Sequence, residues 1–236
     1  MGSIFAKEKQ AVMHYPKRRK LMKRQEFDTL IFDLDGTLFD TEKNIVNSFN
    51  HALVKNGFKK RPYSEVQQLI GTPLQDMFKL YVPAEKIDAC ISKHRERQIR
   101  MLFKESSIFP GVKSTLKKLK AMGKNLSVAT TKPEFFARKM LYRHSLTGLF
   151  DLIHGSSIKK GVGETPKDQI LTGALKRIKY QKAVYIGDTL YDIKAAKNND
   201  LPVIAVDYGI GRKKDLKDAK PDWLISDFRK LLDIIQ

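Results

Sequence analysis

The stretch Asp33-Leu34-Asp35-Gly36-Thr37-Leu38-Phe39-Asp40-Thr41 follows directly on the apolar run Thr29-Leu30-Ile31-Phe32, and the junction between the two sets the fold. A short apolar run closed by a charged residue is the pattern of a strand buried on both faces of a parallel sheet. Asp33 and Asp35 would then project at the carboxyl edge of that sheet, where open α/β sheets place their ligands. Two carboxylates so close repel each other and stay ionised only beside a compensating cation, so the pair implies a bound metal. Gly36 lets the backbone turn sharply next to whatever is bound. An Asp-Gly turn after a strand is ordinary turn chemistry by itself; the whole nine-residue string is much harder to account for that way.

Outward from this junction the chain alternates. Apolar runs at Leu126–Ala129, Leu152-Ile153, Ala183–Ile186 and Val203–Val206 read as further strands. Helical patterns separate them at Val112–Met122, Glu134–His144, Asp168–Ile178, Tyr191–Asn198 and Asp227–Ile235. Strand and helix repeated in this way predict an α/β fold, a Rossmann-like parallel sheet with helices on both faces. One stretch breaks the rhythm. Between Thr41 and Ser107 only helix signals occur: an apolar face through Ile45, Val46, Phe49, Ala52 and Leu53 stopped by Gly57, capping-box patterns at Ser64–Gln67 and Thr72–Gln75, and a long charged helix from Pro83 to Phe103. The expected organisation is a basic extension over 1–26, a core made of 27–40 and 109–236, and a small all-helical cap over 41–108, inserted after the first strand.

A second carboxylate pair lies in Gly187-Asp188-Thr189-Leu190-Tyr191-Asp192, again after an apolar strand. Asp188 would leave the strand end and Asp192 would follow one helical turn later, so both face one pocket; alternatively, Asp188 caps the helix that follows. Oxygen ligands without Cys or His point to a hard cation, and beside phosphate to Mg²⁺. Thr130-Thr131-Lys132-Pro133 brings hydroxyls and backbone N–H groups to another strand end, a natural anion cradle. Lys167, behind Pro166 at a helix start, offers a compact positive charge against phosphate and carboxylate.

Composition narrows the function classes. The 236 residues carry 45 Lys+Arg against 26 Asp+Glu, a net charge of +19, with one Cys and 14 Gly. Collagen-like and disulfide-scaffold proteins are excluded. The lone Cys90 and the lack of a roughly 20-residue apolar run predict a cytoplasmic setting without a membrane span. Met1–Ala6 opens like a myristoylation signal, but Ala6 stands where Ser or Thr belongs. Residues 1–27 hold eight basic against two acidic side chains. That balance draws phosphate-rich partners, yet no aromatic–basic interleaving marks a nucleic-acid groove, so nucleic acid is not an expected partner. Met22 stands just before the first strand and would serve as a chain start.

The four segments together resemble the haloacid-dehalogenase-like phosphatase superfamily. Its DxDGTLxDT motif is matched by Asp33–Thr41, its strand-ending Thr by Thr130, its Lys by Lys167 and its GDxxxD motif by Gly187–Asp192. The helical insertion resembles the small cap of the phosphoglycolate-phosphatase-like branch, although Thr131 stands where many of those enzymes have Asn. The resemblance implies a Mg²⁺-dependent phosphomonoester hydrolase for a small phosphorylated metabolite. In it Asp33 forms an aspartyl phosphate and Asp35 is the general acid and base. Mg²⁺ is held by Asp33, Asp35 (through its carbonyl) and Asp188 with support from Asp192, and Thr130, Thr131, Lys167 and Gly36 surround the phosphate. Lys132, Arg61, His94, Arg95 and Arg97 are candidate substrate contacts, with His94 and its neighbours expected as a solvated helix face. A monomer or homodimer is expected. Two other readings stand beside this one: a sugar-phosphate mutase of the same superfamily, and a non-catalytic basic protein that binds nucleic acid or an acidic partner.

Overall fold

Strand β1, Thr29–Phe32, is buried along its whole length, as its uninterrupted apolar run requires. The computed structural model describes residues 25–157 and 165–236; the basic stretch 1–24, with its Met22 and Met1–Ala6 readings, lies outside the described residues. After β1 comes the two-residue β2, Phe39–Asp40. Then follow four helices: α1 Glu42–Lys55, α2 Tyr63–Gln67, α3 Leu74–Lys79 and α4 Ile87–Met101. The chain returns through β3, Ser107–Ile108, which pairs antiparallel with β2, Phe39 opposite Ile108. The rest alternates: α5 Val112–Ala121, β4 Asn125–Pro133, α6 Glu134–Arg143, β5 Leu152–Ser156, α7 Lys167–Leu175, β6 Ala183–Gly187, α8 Leu190–Asn198, β7 Val203–Val206, α9 Lys213–Asp218, β8 Trp223–Ile225 and α10 Leu231–Ile234.

Six strands form one parallel sheet in the order β5-β4-β1-β6-β7-β8. Alternation along β1 sends Leu30 and Phe32 to one face and Ile31 to the other. On the first face they join Leu116 of α5, Met140 of α6 and Ile234 of α10. On the second, Ile31 joins Leu171 of α7, Ile193 of α8 and Leu216 of α9. A separate apolar cluster holds α1 to α4 together around Phe49 and Phe78, whose rings stack 4.4 Å apart. No helix among the described residues is long and apolar enough to cross a membrane.

Several expected boundaries move. The sequence reading did not separate β2, a strand too short for a periodic signal, from the segment that follows β1. Neither expected capping box forms: Pro62 and Pro73 occupy the N-cap positions without side-chain caps, because Ser64 falls inside α2 and the Thr72 hydroxyl is drawn to Tyr191 instead, at 2.9 Å. The Pro83–Phe103 helix is divided into a 3-10 turn, Ala84–Lys86, and α4. Strand β4 runs on to Pro133, with a register shift between Thr130 and Pro133. At the other end, the pattern over Asp227–Ile235 resolves into a 3-10 turn, Phe228–Lys230, capped by Asp227, and the short α10. Strand β8 is three residues long and carried no separate sequence signal.

Candidate active site

The sheet order places the site. From the central β1 the chain builds outward to β4 and β5 on one side, then crosses to β6, β7 and β8 on the other. The carboxyl ends of β1, β4 and β6 therefore flank the point where the connections part, the crevice in which such sheets bind ligands. Phe32 lies opposite both Val128 and Ile186, so Asp33, Thr130 and Asp188 emerge at the same edge. The Asp33 N–H donates to the Ile186 carbonyl at 2.8 Å, fixing the end of β1 against β6.

Three carboxylates meet there. Asp33, Asp188 and Asp192 are buried, and each offers an oxygen within 4.8 Å of the others. Lys167, the first residue of α7, sets its ammonium 3.0 Å from Asp33 Oδ2 and 2.6 Å from Asp192 Oδ1. Asp188 accepts from the Thr37 hydroxyl at 3.0 Å and from the Ile210 N–H at 2.8 Å. Asp192 is the most heavily engaged of the three. Its Oδ2 accepts from the backbone N–H and hydroxyl of Thr189 at 2.8 and 2.6 Å, and the Tyr185 hydroxyl lies 3.2 Å from its Oδ1. Thr189 and Asp192 form a capping box at the start of α8, so the alternative role for Asp188 as helix cap is taken by Thr189, and Asp188 faces the site.

Burial dominates the electrostatics. It pushes Asp33 up to about 7; Lys167 pulls the other way, and the like charges of Asp192 and Asp35 add to the rise. Asp188 is driven well above the usual carboxylate range by burial, then by Asp192 and Asp33. Burial works against the charge of Lys167, but Asp192 and Asp33 outweigh it and hold the ammonium above its ordinary value. One ammonium thus serves several carboxylates. In addition, Asp33 Oδ1 is buried without a hydrogen-bond partner among the described residues, an arrangement native proteins rarely leave uncompensated. An oxygen-only donor set with an excess of negative charge and one orphaned oxygen fits a hard divalent cation such as Mg²⁺. The backbone leaves no slack around it. A Cβ on Gly36 would overlap the Asp188 carboxylate, and one on Gly209 would strike the Gly36 carbonyl and Asp188.

Asp35 is oriented differently from the other acids. Its carboxylate turns toward Lys132, whose ammonium lies 2.9 Å from Oδ2, while Oδ1 has no partner among the described residues. The Asp35 side chain therefore stands outside the carboxylate trio. Both Asp33 and Asp35 line a cavity of about 100 Å³ between the sheet edge and the helical insertion, together with Lys167 and Thr131. Thr130 and Gly36 are close by but do not line it: Gly36 abuts Asp188, and the Thr130 hydroxyl accepts from the Lys132 N–H at 3.2 Å.

The candidate substrate contacts separate sharply. Arg61 pairs with Glu65 and lies over the Tyr81 ring at 4.7 Å, away from the cavity. Arg97 binds Glu105 through both guanidinium nitrogens and reaches Ser48, a half-buried tie within the insertion. His94, expected on a solvated face, is only 3% exposed and lines the cavity beside Arg95 and Gln98. The charged residues around it masked its burial, because His94 lies on the face of α4 that Ile87, Cys90 and Gln98 also bury. Gln98 and Thr189 also line the cavity and were not picked out as contacts; a lone amide one turn after His94 was the signal for Gln98.

The fold and this cluster define an enzyme of phosphoryl chemistry, and sequence comparison places it. The haloacid dehalogenase-like hydrolase family matches residues 30–206, and the chain belongs to that family. A 5'-nucleotidase of Pseudomonas aeruginosa is 28% identical over 89% of this chain and 96% of its own length. A phosphoglycolate phosphatase of Agrobacterium fabrum is 30% identical over 85% of this chain and 89% of its own. The crystal structure of a predicted phosphatase from Clostridium acetobutylicum superposes with a TM-score of 0.80, at 30% identity over 88% of this chain and 97% of that one. The chain is accordingly a phosphatase of the haloacid dehalogenase-like kind, and the reading as an idle basic binding protein falls away.

Proposed function

We infer that the protein is a Mg²⁺-dependent phosphomonoester hydrolase that acts on a small phosphorylated metabolite through an aspartyl phosphate. One observation carries the reading. Asp33 has one oxygen held by Lys167 and the other free of any partner among the described residues, at the mouth of a cavity it shares with Asp35. Asp33 attacks phosphorus as the nucleophile, and the bond to the leaving oxygen breaks. Asp35, held by Lys132, gives a proton to that oxygen and later takes one from the water that cleaves the acyl phosphate; one carboxyl group thus serves both half-reactions. Lys167 and the Thr131 side of the β4 bulge face the phosphoryl oxygens as negative charge builds on them. Asp33, Asp188 and the backbone of Asp35 would hold the Mg²⁺. When bound, it offsets the repulsion between an anionic nucleophile and an anionic ester. Asp192 acts at one remove, by holding Lys167 and the Asp188–Thr189 turn. The helical insertion covers the cavity and limits water during the first step. The segments 41–108 and 27–40 with 109–236 are thus assigned as cap and core, and the single buried Cys90 suits a cytoplasmic setting.

The test is hydrolysis of an aryl phosphate by the full chain with Mg²⁺ and after chelation. Activity is expected only with the metal and is expected to return when it is added back; turnover that survives exhaustive chelation refutes the metal assignment. Incubation with a sugar monophosphate separates hydrolase from mutase: free phosphate without an isomerised sugar is the expected product.

A further inference from the structure

We propose that the outer face of α6, with Phe103 at its far end, is a docking track for single-stranded nucleic acid, whose bases stack on the exposed rings and whose phosphates meet the cations between them. The track uses none of the residues that line the carboxylate cavity, so the proposal stands apart from the hydrolase reading.

Helix α6 buries Phe136, Ala137, Met140 and Leu141, a stripe with helical spacing that seats it on the sheet. The turns between leave Phe135, Arg138, Lys139, Tyr142 and Arg143 exposed on the other face. Phe135 is 55% exposed and Tyr142 80%, and Phe103, just past the end of α4, is 51% exposed. A single exposed ring is ordinary; these three fall into line with cations. The Lys139 ammonium lies 4.5 Å from the centre of the Phe135 ring, and the Arg143 guanidinium 5.9 Å from that of Phe103. Phe135 also meets the buried Phe136 ring edge to face, with centroids 5.6 Å apart, which steadies it. Phe135 and Tyr142 are separated by two helical turns, about 10 Å along the axis. The surface order is therefore ring, cation, ring, cation, ring: Phe135, Lys139, Tyr142, Arg143, Phe103. Read in line, the chain hides this order, because the residues that α6 turns to the core interrupt it.

The chemistry of the face selects the partner. Arg138 is tied to Glu134 and to the Ile153 carbonyl, but Lys139 and Arg143 touch only rings and pair with no carboxylate among the described residues. A solvent-facing ring beside an unpaired cation matches a nucleotide, which brings a flat base and a charged phosphate together; stacking of this kind tolerates any sequence, because every base has a π-face. The net charge of +19 adds a long-range attraction for a polyanion. A lipid surface is the poorer match. A helix lying in a membrane interface must insert its apolar face, and that face of α6 is occupied by the core. An acidic protein segment would satisfy the cations and leave the three rings unmatched.

The experiment is fluorescence anisotropy of a labelled oligothymidylate of about 12 nucleotides, within the range of known single-strand sites, titrated with the full chain and its variants. Binding is expected with a dissociation constant below about 100 µM at physiological salt. Because the whole chain is basic, the rings carry the decision. Tyr142→Ala and Phe135→Ala should each weaken binding about 5-fold or more, the low end of what one stacked base contributes, whereas Tyr142→Phe, which keeps the ring, should bind like the parent. Lys139→Ala should lower the slope of log affinity against log salt by about 0.7, as loss of one phosphate contact requires. A duplex of the same length should bind more weakly, since its bases are already stacked. All four variants should melt within a degree or two of the parent and hydrolyse an aryl phosphate at its rate, so failure here is distinct from failure of the hydrolase reading. Absence of binding, affinity unmoved by Tyr142→Ala and Phe135→Ala, or a duplex bound as tightly as the single strand would overturn the proposal. So would binding to phosphatidylserine vesicles or to oligoglutamate that depends on Tyr142 when binding to the oligonucleotide does not.

Discussion

The two walls of the cavity are finished to different degrees. On the sheet side most of the carboxylate oxygens are held, Asp33 Oδ1 and Asp35 Oδ1 excepted: Lys167 bridges Asp33 and Asp192, Thr37 and Ile210 fix Asp188, and Thr189 closes on Asp192. On the helical side His94 is equally buried but holds no hydrogen bond among the described residues. The contrast separates two tasks. Groups that handle the phosphoryl centre must be placed before substrate arrives, because preorganisation is what lowers the barrier. Groups on the covering wall are under no such requirement.

The largest effect should come from breaking the sheet side at its nucleophile. Asp33→Asn is expected to lower kcat on an aryl phosphate by about 10⁴-fold or more, with a thermal midpoint no lower than the parent's, since a neutral side chain relieves the repulsion from Asp192 and Asp35. Turnover by quenched assay and a melting curve on the same preparation check both halves. Next comes Lys167→Met. It leaves Asp33 and Asp192 without their ammonium in a buried setting, and removal of one partner of a buried pair costs about 3–5 kcal/mol; urea unfolding reads the loss, and Mg²⁺ should recover part of it.

On the helical side the effect is smaller and depends on pH. His94 sits near 3 in the folded chain against an ordinary 6.5. As pH falls below 6.5 the unfolded chain takes up a proton that the folded chain refuses. Stability is therefore full above about 6.5 and declines toward 3, by about 2 kcal/mol at pH 5 from this residue alone. In His94→Leu that part of the acid limb should vanish, as urea midpoints at pH 7 and pH 5 would reveal. An unchanged limb would place the acid sensitivity elsewhere. The smallest effect concerns the seam between the walls. Thr72→Val removes the exposed hydrogen bond to Tyr191, worth about 1 kcal/mol or less, and should change KM a few-fold while the melting temperature stays within a degree or two.

Much of the sheet side was legible in the chain. Asp33, Lys167 and Asp188 each stand at a strand end or helix start marked by an apolar run or a proline, and parallel-sheet topology brings such ends together. The helical side was hidden. His94, Arg95 and Arg97 look alike in a charged helix, and only tertiary packing brings the first two to the cavity and gives the third to Glu105. Asp35 was legible as an acid but not as the partner of Lys132, because a register shift in β4 places that ammonium. The capping boxes misled for a related reason: Thr72 found a better partner across the seam than its own helix.

The short ladder between Phe39–Asp40 and Ser107–Ile108 has a consequence of its own. Both crossings of the chain run side by side, so the sheet meets the insertion as a single doorway two residues wide. Whatever lies between these strands can be lengthened, shortened or exchanged without shifting the register of β1. The fold thereby keeps its chemistry fixed while its choice of customer is free to drift.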